Sequence, residues 1–200
     1  VTTLVGARSA HVMARVLTEI AAPWTVNIAA SLLVGVYAGS WLWGAVVALF
    51  SGVLPMLMIL WEMSRDRVGD HHVTQHDQRH RVIVAILVLV AAALVLQLAF
   101  GAPEQTVGLT IAGLATLLAI GVWTSIVHIK ASVHTAVWSG SVAIIGLAIS
   151  PWWWLLLALT PVIGWARLHL RDHTLTQVLA GTATGLIVAP MTYTVVTALY

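Results

Sequence analysis

Charged positions fall in a few short clusters separated by long apolar runs. No Asp, Glu, Lys or Arg occurs from 20 to 61, from 82 to 100, from 105 to 129 or from 131 to 166. A helix needs about 20 mostly apolar residues to cross a bilayer. The runs therefore predict spans at 20–38, 41–62, 82–100, 106–127, 134–149, 152–167 and 175–197, with breaks at Gly39-Ser40, Gly101-Ala102-Pro103-Glu104 and Ser150-Pro151. The expected fold class is all-α: a polytopic membrane helical bundle of about six to seven transmembrane helices, six if one short segment is re-entrant. Residues 1–19 carry Arg8, His11, Arg15 and Glu19 among apolar positions. Val5, Val12, Met13, Val16 and Leu17 can share one face there, the pattern of an interfacial amphipathic helix, although a plain polar tail fits as well. Residues 20–200 read as a single transmembrane domain.

Composition strengthens this picture. The chain is 60% hydrophobic and 8% charged, against about 25% charged in soluble domains, and its mean hydropathy is +0.97. The absence of cysteine excludes disulfides and thiol chemistry. A pI near 9.5 rests on nine basic residues dispersed over short loops. They form no basic stripe, so a bilayer is the expected partner and nucleic acid is not. In the seven-span reading every Lys and Arg and all nine His fall on the membrane side of the N-terminus, while Trp41, Trp43 and Trp152-Trp153-Trp154 fall on the other. The positive-inside rule makes the His-rich side cytoplasmic in the cell membrane. No repeat and no inverted pair of Gly/Pro-broken helices marks a transporter.

Ionisable residues at the edge of membrane helices are costly and point to function, and here they form three motif loops at 63–81, 128–135 and 166–177. In the third, Arg167 is followed by His173 and Gln177. If a helix begins near Thr174, His173 and Gln177 share a face. Gln177 can then accept a hydrogen bond from one imidazole nitrogen and leave the other to attack, while the Arg167 fork suits phosphate oxygens. In the second, Lys130, Ser132 and His134 stand at the head of a span, where free N–H groups and the helix dipole attract anions. In the first, His72 and Arg79 lie seven residues apart, about two helical turns.

This pattern resembles the type 2 phosphatidic acid phosphatase superfamily of membrane lipid phosphatases. That family's motifs read Lys, six residues, Arg-Pro; then Pro-Ser-Gly-His; then Ser-Arg, five residues, His, three residues, Asp. Here the corresponding stretches are His72 to Arg79-His80, then Ala131-Ser132-Val133-His134, then Ala166-Arg167 to His173 and Gln177, in the same order and spacing. Arg79, Ser132, His134, Arg167 and His173 match by type, whereas His72, His80, Ala131, Val133, Ala166 and Gln177 depart. The similarity covers roughly 70–197, with a two-helix insertion between the first and second motifs that is longer than the usual linker. It implies removal of phosphate from a lipid phosphate or diphosphate, without metal or other cofactor. His173 would be the nucleophile that becomes phosphohistidine, and His134 the general acid. Arg79, Arg167 and Ser132 would bind phosphate, helped by His72 or Lys130 in place of the family's Lys. Gln177 stands where the family has Asp; its oxygen can hold the imidazole tautomer but brings no charge, which Asp172 or Asp70 would have to provide.

Other readings use the same residues. A degenerate site would bind or move a phospholipid without hydrolysing it. His72, His76 and His80, with His169 and His173, recur every four residues, and His71, His128 and His134 add to them. Such spacing can share a metal, as in membrane di-iron enzymes, although paired HxxHH boxes are missing. Glu62, Asp66 and Asp70 resemble the Asp-rich motif of membrane prenyltransferases, but residues 105–171 contain no second acidic motif.

Overall fold

The computed structural model describes residues 2–65 and 76–200, and side chains over 8–65 and 81–200. Among the described residues helices are the only regular secondary structure, with no strand. Helix α1 spans Thr2–Ile20, α2 Pro23–Tyr37, α3 Trp41–Ala48 and α4 Leu54–Ser64; the π-helical turn Leu49–Val53 joins the last two. They are followed by α5 (His76–Ala99), α6 (Glu104–Ser125), α7 (Val133–Ala148), a 3₁₀ helix (Pro151–Leu159), α8 (Thr160–His169) and α9 (Leu175–Leu199). Four stretches are long and apolar enough to cross a membrane: Trp41–Ser64, Arg81–Ala99, Glu104–Ser125 and Leu175–Leu199. The pair Arg8–Ile20 and Pro23–Tyr37, bent by 43°, raises the number to five if it is one span. Each apolar run of the sequence is helical, but not each is one long α-helix.

The departures have local causes. Pro55 lacks the N–H that would close on the Ser51 carbonyl four residues earlier, and the ladder widens into a π turn there. Asn27 Nδ2 of α2 donates to that carbonyl at 3.0 Å, and Ser51 Oγ donates to Val47 O at 2.8 Å, so the break is satisfied inside the bundle. The 152–167 run divides because Pro161 removes another helical donor. Its first part follows Pro151 as the 3₁₀ helix, which Trp154 ties to α7 by donating from Nε1 to Ala143 O at 3.1 Å. In α1, Val12, Met13, Val16 and Ile20 are exposed, whereas Ala14 and Thr18 are buried. An apolar face is thus left outward, as an interfacial helix requires.

Helices α7 and α9 form the axis that positions the polar motifs. Gly181, Gly185 and Ala189 recur every four residues on α9, a small-xxx-small seam that lets two backbones touch. A Cβ at Gly181 would collide with the Ser132 carbonyl, and one at Gly185 with Ala136 O and Ser139 Oγ. Across the seam Thr135 Oγ1 donates to Val178 O at 3.2 Å, and Ser139 Oγ, which donates to Thr135 O at 2.6 Å, lies 3.3 Å from Thr182 O. Such bonds contribute on the order of 0.6 kcal/mol each between membrane helices. The pairings advance together along both chains, so α7 and α9 run parallel and their N-termini lie at one end. Helix α6 joins the pair from its other side, with Trp123 Nε1 donating to Thr184 Oγ1 at 3.0 Å. At the opposite end Tyr37, Trp41, Phe100, Trp152 and Tyr200 stand exposed at helix termini, an arrangement suited to a membrane interface.

Candidate functional site

Two helix starts and one helix end build the site. Ser132 is the N-cap of α7, its Oγ accepting the Thr135 N–H at 3.5 Å, and its own backbone N–H donates to Gln177 O at 2.9 Å. Thr174 caps α9 in a reciprocal box. Its hydroxyl accepts the Gln177 N–H at 3.4 Å, and Gln177 Oε1 accepts the Thr174 N–H at 3.2 Å. Caps of this kind are worth about 1 kcal/mol. Helix α8 ends at a tight turn with Arg171 in the left-handed region (φ 59°), and the Arg167 carbonyl accepts from the N–H groups of Asp172 and His173. That turn delivers His173 to the start of α9 and leaves Arg167 on the last turn of α8, where a cation is favoured.

The network assigns the proton on His173. Its Nδ1 lies 3.1 Å from Gln177 Oε1 and 3.2 Å from the carbonyl oxygen of Lys130. A backbone carbonyl can only accept, so Nδ1 must carry the hydrogen. Gln177 gives the same answer independently: the Thr174 N–H can only donate, so the atom it shares with Nδ1 is the amide oxygen. In the neutral ring Nε2 is therefore the basic nitrogen. His173 and His134 are both buried and both line one end of the same cavity.

Arg167 is 1% exposed, and its guanidinium pairs with Asp172 at 3.0 Å. Asp172 thus serves Arg167, and the neutral Gln177 stands at His173. Ser132 is fully buried, with its oxygen used in the cap, and Lys130 is half-buried. The fold accordingly unites the second and third motifs: Lys130, Ser132 and His134 with His173 and Gln177, beside Arg167. His72 and Asp70 lie outside the described residues; Arg79 and His80 lie in the first turns of α5, outside the described side chains. Among the described residues no group of three or more His, Asp or Glu side chains is placed to hold a metal ion. The 63–81 loop that carries the other metal-binding candidates is largely outside them.

Four contributors lay beyond the motifs. The Lys130 carbonyl, rather than its ammonium, touches His173, and a backbone acceptor leaves no mark in residue type. Thr174 could have been found from the Thr-x-x-Gln pattern of a capping box. Gly181 could have been found from the small-residue seam. The fourth is the cavity itself, about 200 Å³, which begins at His134 and His173. It runs between the helices past Ile83, Thr116 and Ile120 to Val90, Leu109 and Ile144. No family model, curated protein or solved structure matches the chain.

Proposed function

We propose that this chain is a multi-pass membrane lipid phosphatase, acting on a phosphate monoester or diphosphate of an isoprenoid or glycerophospholipid through a phosphohistidine, without a metal or other cofactor. The observation that carries this reading is the placement of His173 at the mouth of an apolar cavity, with Nδ1 held by Gln177 and Lys130. Nε2 attacks phosphorus, and the bond from phosphorus to the lipid oxygen breaks as His134 delivers a proton to that oxygen. Water then attacks the phosphohistidine, giving its proton to His134 as the P–N bond breaks, and inorganic phosphate leaves. Phosphoryl transfer depends mostly on positioning and charge stabilisation. The parallel N-termini of α7 and α9 bring two positive dipole ends to the site. In this reading the phosphate joins Asp172 at the Arg167 guanidinium, with Arg79, Ser132, Lys130 and His72 as its further ligands.

The finer topology follows from the same reading. Seven crossings are formed by α2, α3 with α4, α5, α6, α7, the 3₁₀ helix with α8, and α9, while α1 lies in the interface. Laid end to end, the 3₁₀ helix and α8 reach about 33 Å at roughly 2.0 and 1.5 Å per residue, enough for the ~30 Å hydrocarbon core. The motif face is cytoplasmic by the charge asymmetry.

A second reading, binding of a lipid phosphate without hydrolysis, draws on the neutral Gln177 and on the Asp172 partner of Arg167. Phosphate release from the protein in lipid nanodiscs, with EDTA present, separates the two. The substrates are monododecyl phosphate, farnesyl diphosphate and dilauroyl phosphatidic acid. Release that survives EDTA and vanishes in His173→Ala is expected. Binding without release, unchanged in His173→Ala, would favour the second reading, and release only on adding metal would move the assignment to a metal-dependent enzyme.

A further inference from the structure

The cavity behind the two histidines has a shape as well as a lining. On α7 it is lined from Val133 and His134 to Ile144, and on α6 from Ile120 back to Leu109. Each stretch is 12 residues, 11 helical steps of about 1.5 Å, so the cavity runs about 16 Å inward from the site, roughly half the ~30 Å hydrocarbon thickness. A volume of about 200 Å³ spread over that depth is slender. An apolar cavity of ~150 Å³ takes a single benzene ring, and drug-sized ligands occupy ~300 Å³ or more. That space matches one hydrocarbon chain laid lengthwise, and because the cavity opens sideways at the exposed Gly113, a second chain would lie outside it.

We infer that the cavity is a tail site for a single hydrocarbon chain, and that the site acts on phosphates or diphosphates of one chain in preference to diacyl glycerophospholipids. The inference rests on the phosphatase reading for its headgroup chemistry and narrows the substrate to the single-chain class. The walls are predominantly aliphatic, from Val82, Ile86 and Val90 on α5 to Leu109, Leu117 and Ile120 on α6. Near the π turn Asn27 and Ser51 also line the cavity, but the bond between them turns their polarity toward each other. The Ser51 carbonyl therefore already has its donor, and an apolar chain passing it strips no solvent from an unsatisfied group.

Gly113 makes the inference testable. It lies on the same α6 face as Leu109, Thr116, Leu117 and Ile120, it lines the cavity, and a Cβ added there meets no atom within 4 Å. Its φ is not in the left-handed region, and leucine and alanine are both better helix formers than glycine. Gly113→Leu should therefore obstruct the passage while leaving the helix intact, and Gly113→Ala should narrow it less.

Binding in nanodiscs of non-hydrolysed lipid, read by equilibrium competition at 4 °C in the His173→Ala background, compares monododecyl phosphate with dilauroyl phosphatidic acid. The two probes share a phosphate monoester and a chain length and differ in chain number. The expected result is a preference of about tenfold or more for the single chain, lost in Gly113→Leu and reduced in Gly113→Ala. In the active protein, phenyl phosphate hydrolysis should stay within about twofold in both variants, because that substrate does not reach Gly113. Equal binding of the two lipids, or a preference untouched in both variants, would overturn the inference. If Gly113→Leu loses phenyl phosphate hydrolysis as well, the decision passes to Gly113→Ala. If no lipid is hydrolysed but the single-chain preference and its loss are seen, the phosphatase reading fails and the tail site stands.

Discussion

At the scale of single residues, Gln177 uses one oxygen for two purposes: it closes the cap of α9 and it accepts the Nδ1 proton of His173. In the serine-protease triad, replacing Asp by Asn costs about 10⁴ in rate because the imidazole takes the wrong tautomer. Here the Lys130 carbonyl and the shared amide oxygen both enforce the useful tautomer, so that penalty does not arise. What Gln177 lacks is charge to stabilise the cationic phosphohistidine. Gln177→Glu keeps length and both acceptor bonds and adds that charge; turnover of a single-chain phosphate should rise roughly tenfold, equivalent to about 1.4 kcal/mol in the barrier. Gln177→Ala removes one of two acceptors at Nδ1 together with half of the capping box, and should lower both turnover and thermal stability. Steady-state phosphate release and a Tm in nanodiscs check both variants. A loss of activity in Gln177→Glu, with Tm unchanged, would show that a neutral partner is required.

At the scale of elements, the seam between α7 and α9 sets the distance between His134 and His173. Because a Cβ at Gly181 meets the Ser132 backbone, Gly181→Ala must push the helices apart at the site. Overpacking of this kind costs about 1–3 kcal/mol. The expected outcome is a lowered Tm and a loss of turnover larger than that of Thr174→Ala, which removes a cap worth about 1 kcal/mol but leaves the seam closed. Equal losses in the two variants would place the control of the site in the cap. The relation of His173 to Gln177 was legible in the sequence because helical periodicity puts residues four apart on one face. The Asn27 bond to the Ser51 carbonyl was not: Pro55 announces a freed carbonyl, but the donor lies 24 residues earlier and only the packed bundle selects it. Nor could hydropathy distinguish the 3₁₀ helix Pro151–Leu159 from an α-helix, since both present apolar side chains all round.

At the scale of the whole molecule, the long apolar runs anticipate helices that the structure describes, and the parallel alignment of α7 and α9 brings two motifs, more than 30 residues apart in the chain, to one end. Why a cavity connects that end to the interior follows from no local pattern; it is the space left where α5 and α6 stand off from α7, with Gly113 leaving its side of α6 open. The proposed orientation is directly testable because the chain contains no cysteine. Glu104→Cys, at the start of α6, should react with a membrane-impermeant maleimide in intact cells, and Thr176→Cys, at the start of α9, only after the membrane is opened. The reverse pattern would invert the topology, and labelling of both from one side would break the seven-crossing arrangement.

The phosphohistidine is tested most directly by a rapid quench into alkali during turnover of monododecyl phosphate, followed by mapping of the phosphorylated peptide. A phosphoryl group is expected on His173 that decays when substrate is exhausted, is absent in His173→Ala, and accumulates in His134→Ala if protonation of the leaving oxygen is bypassed by a phenyl phosphate substrate. Sustained phosphate release from a protein that never carries phosphate on His173 would contradict the phosphohistidine route.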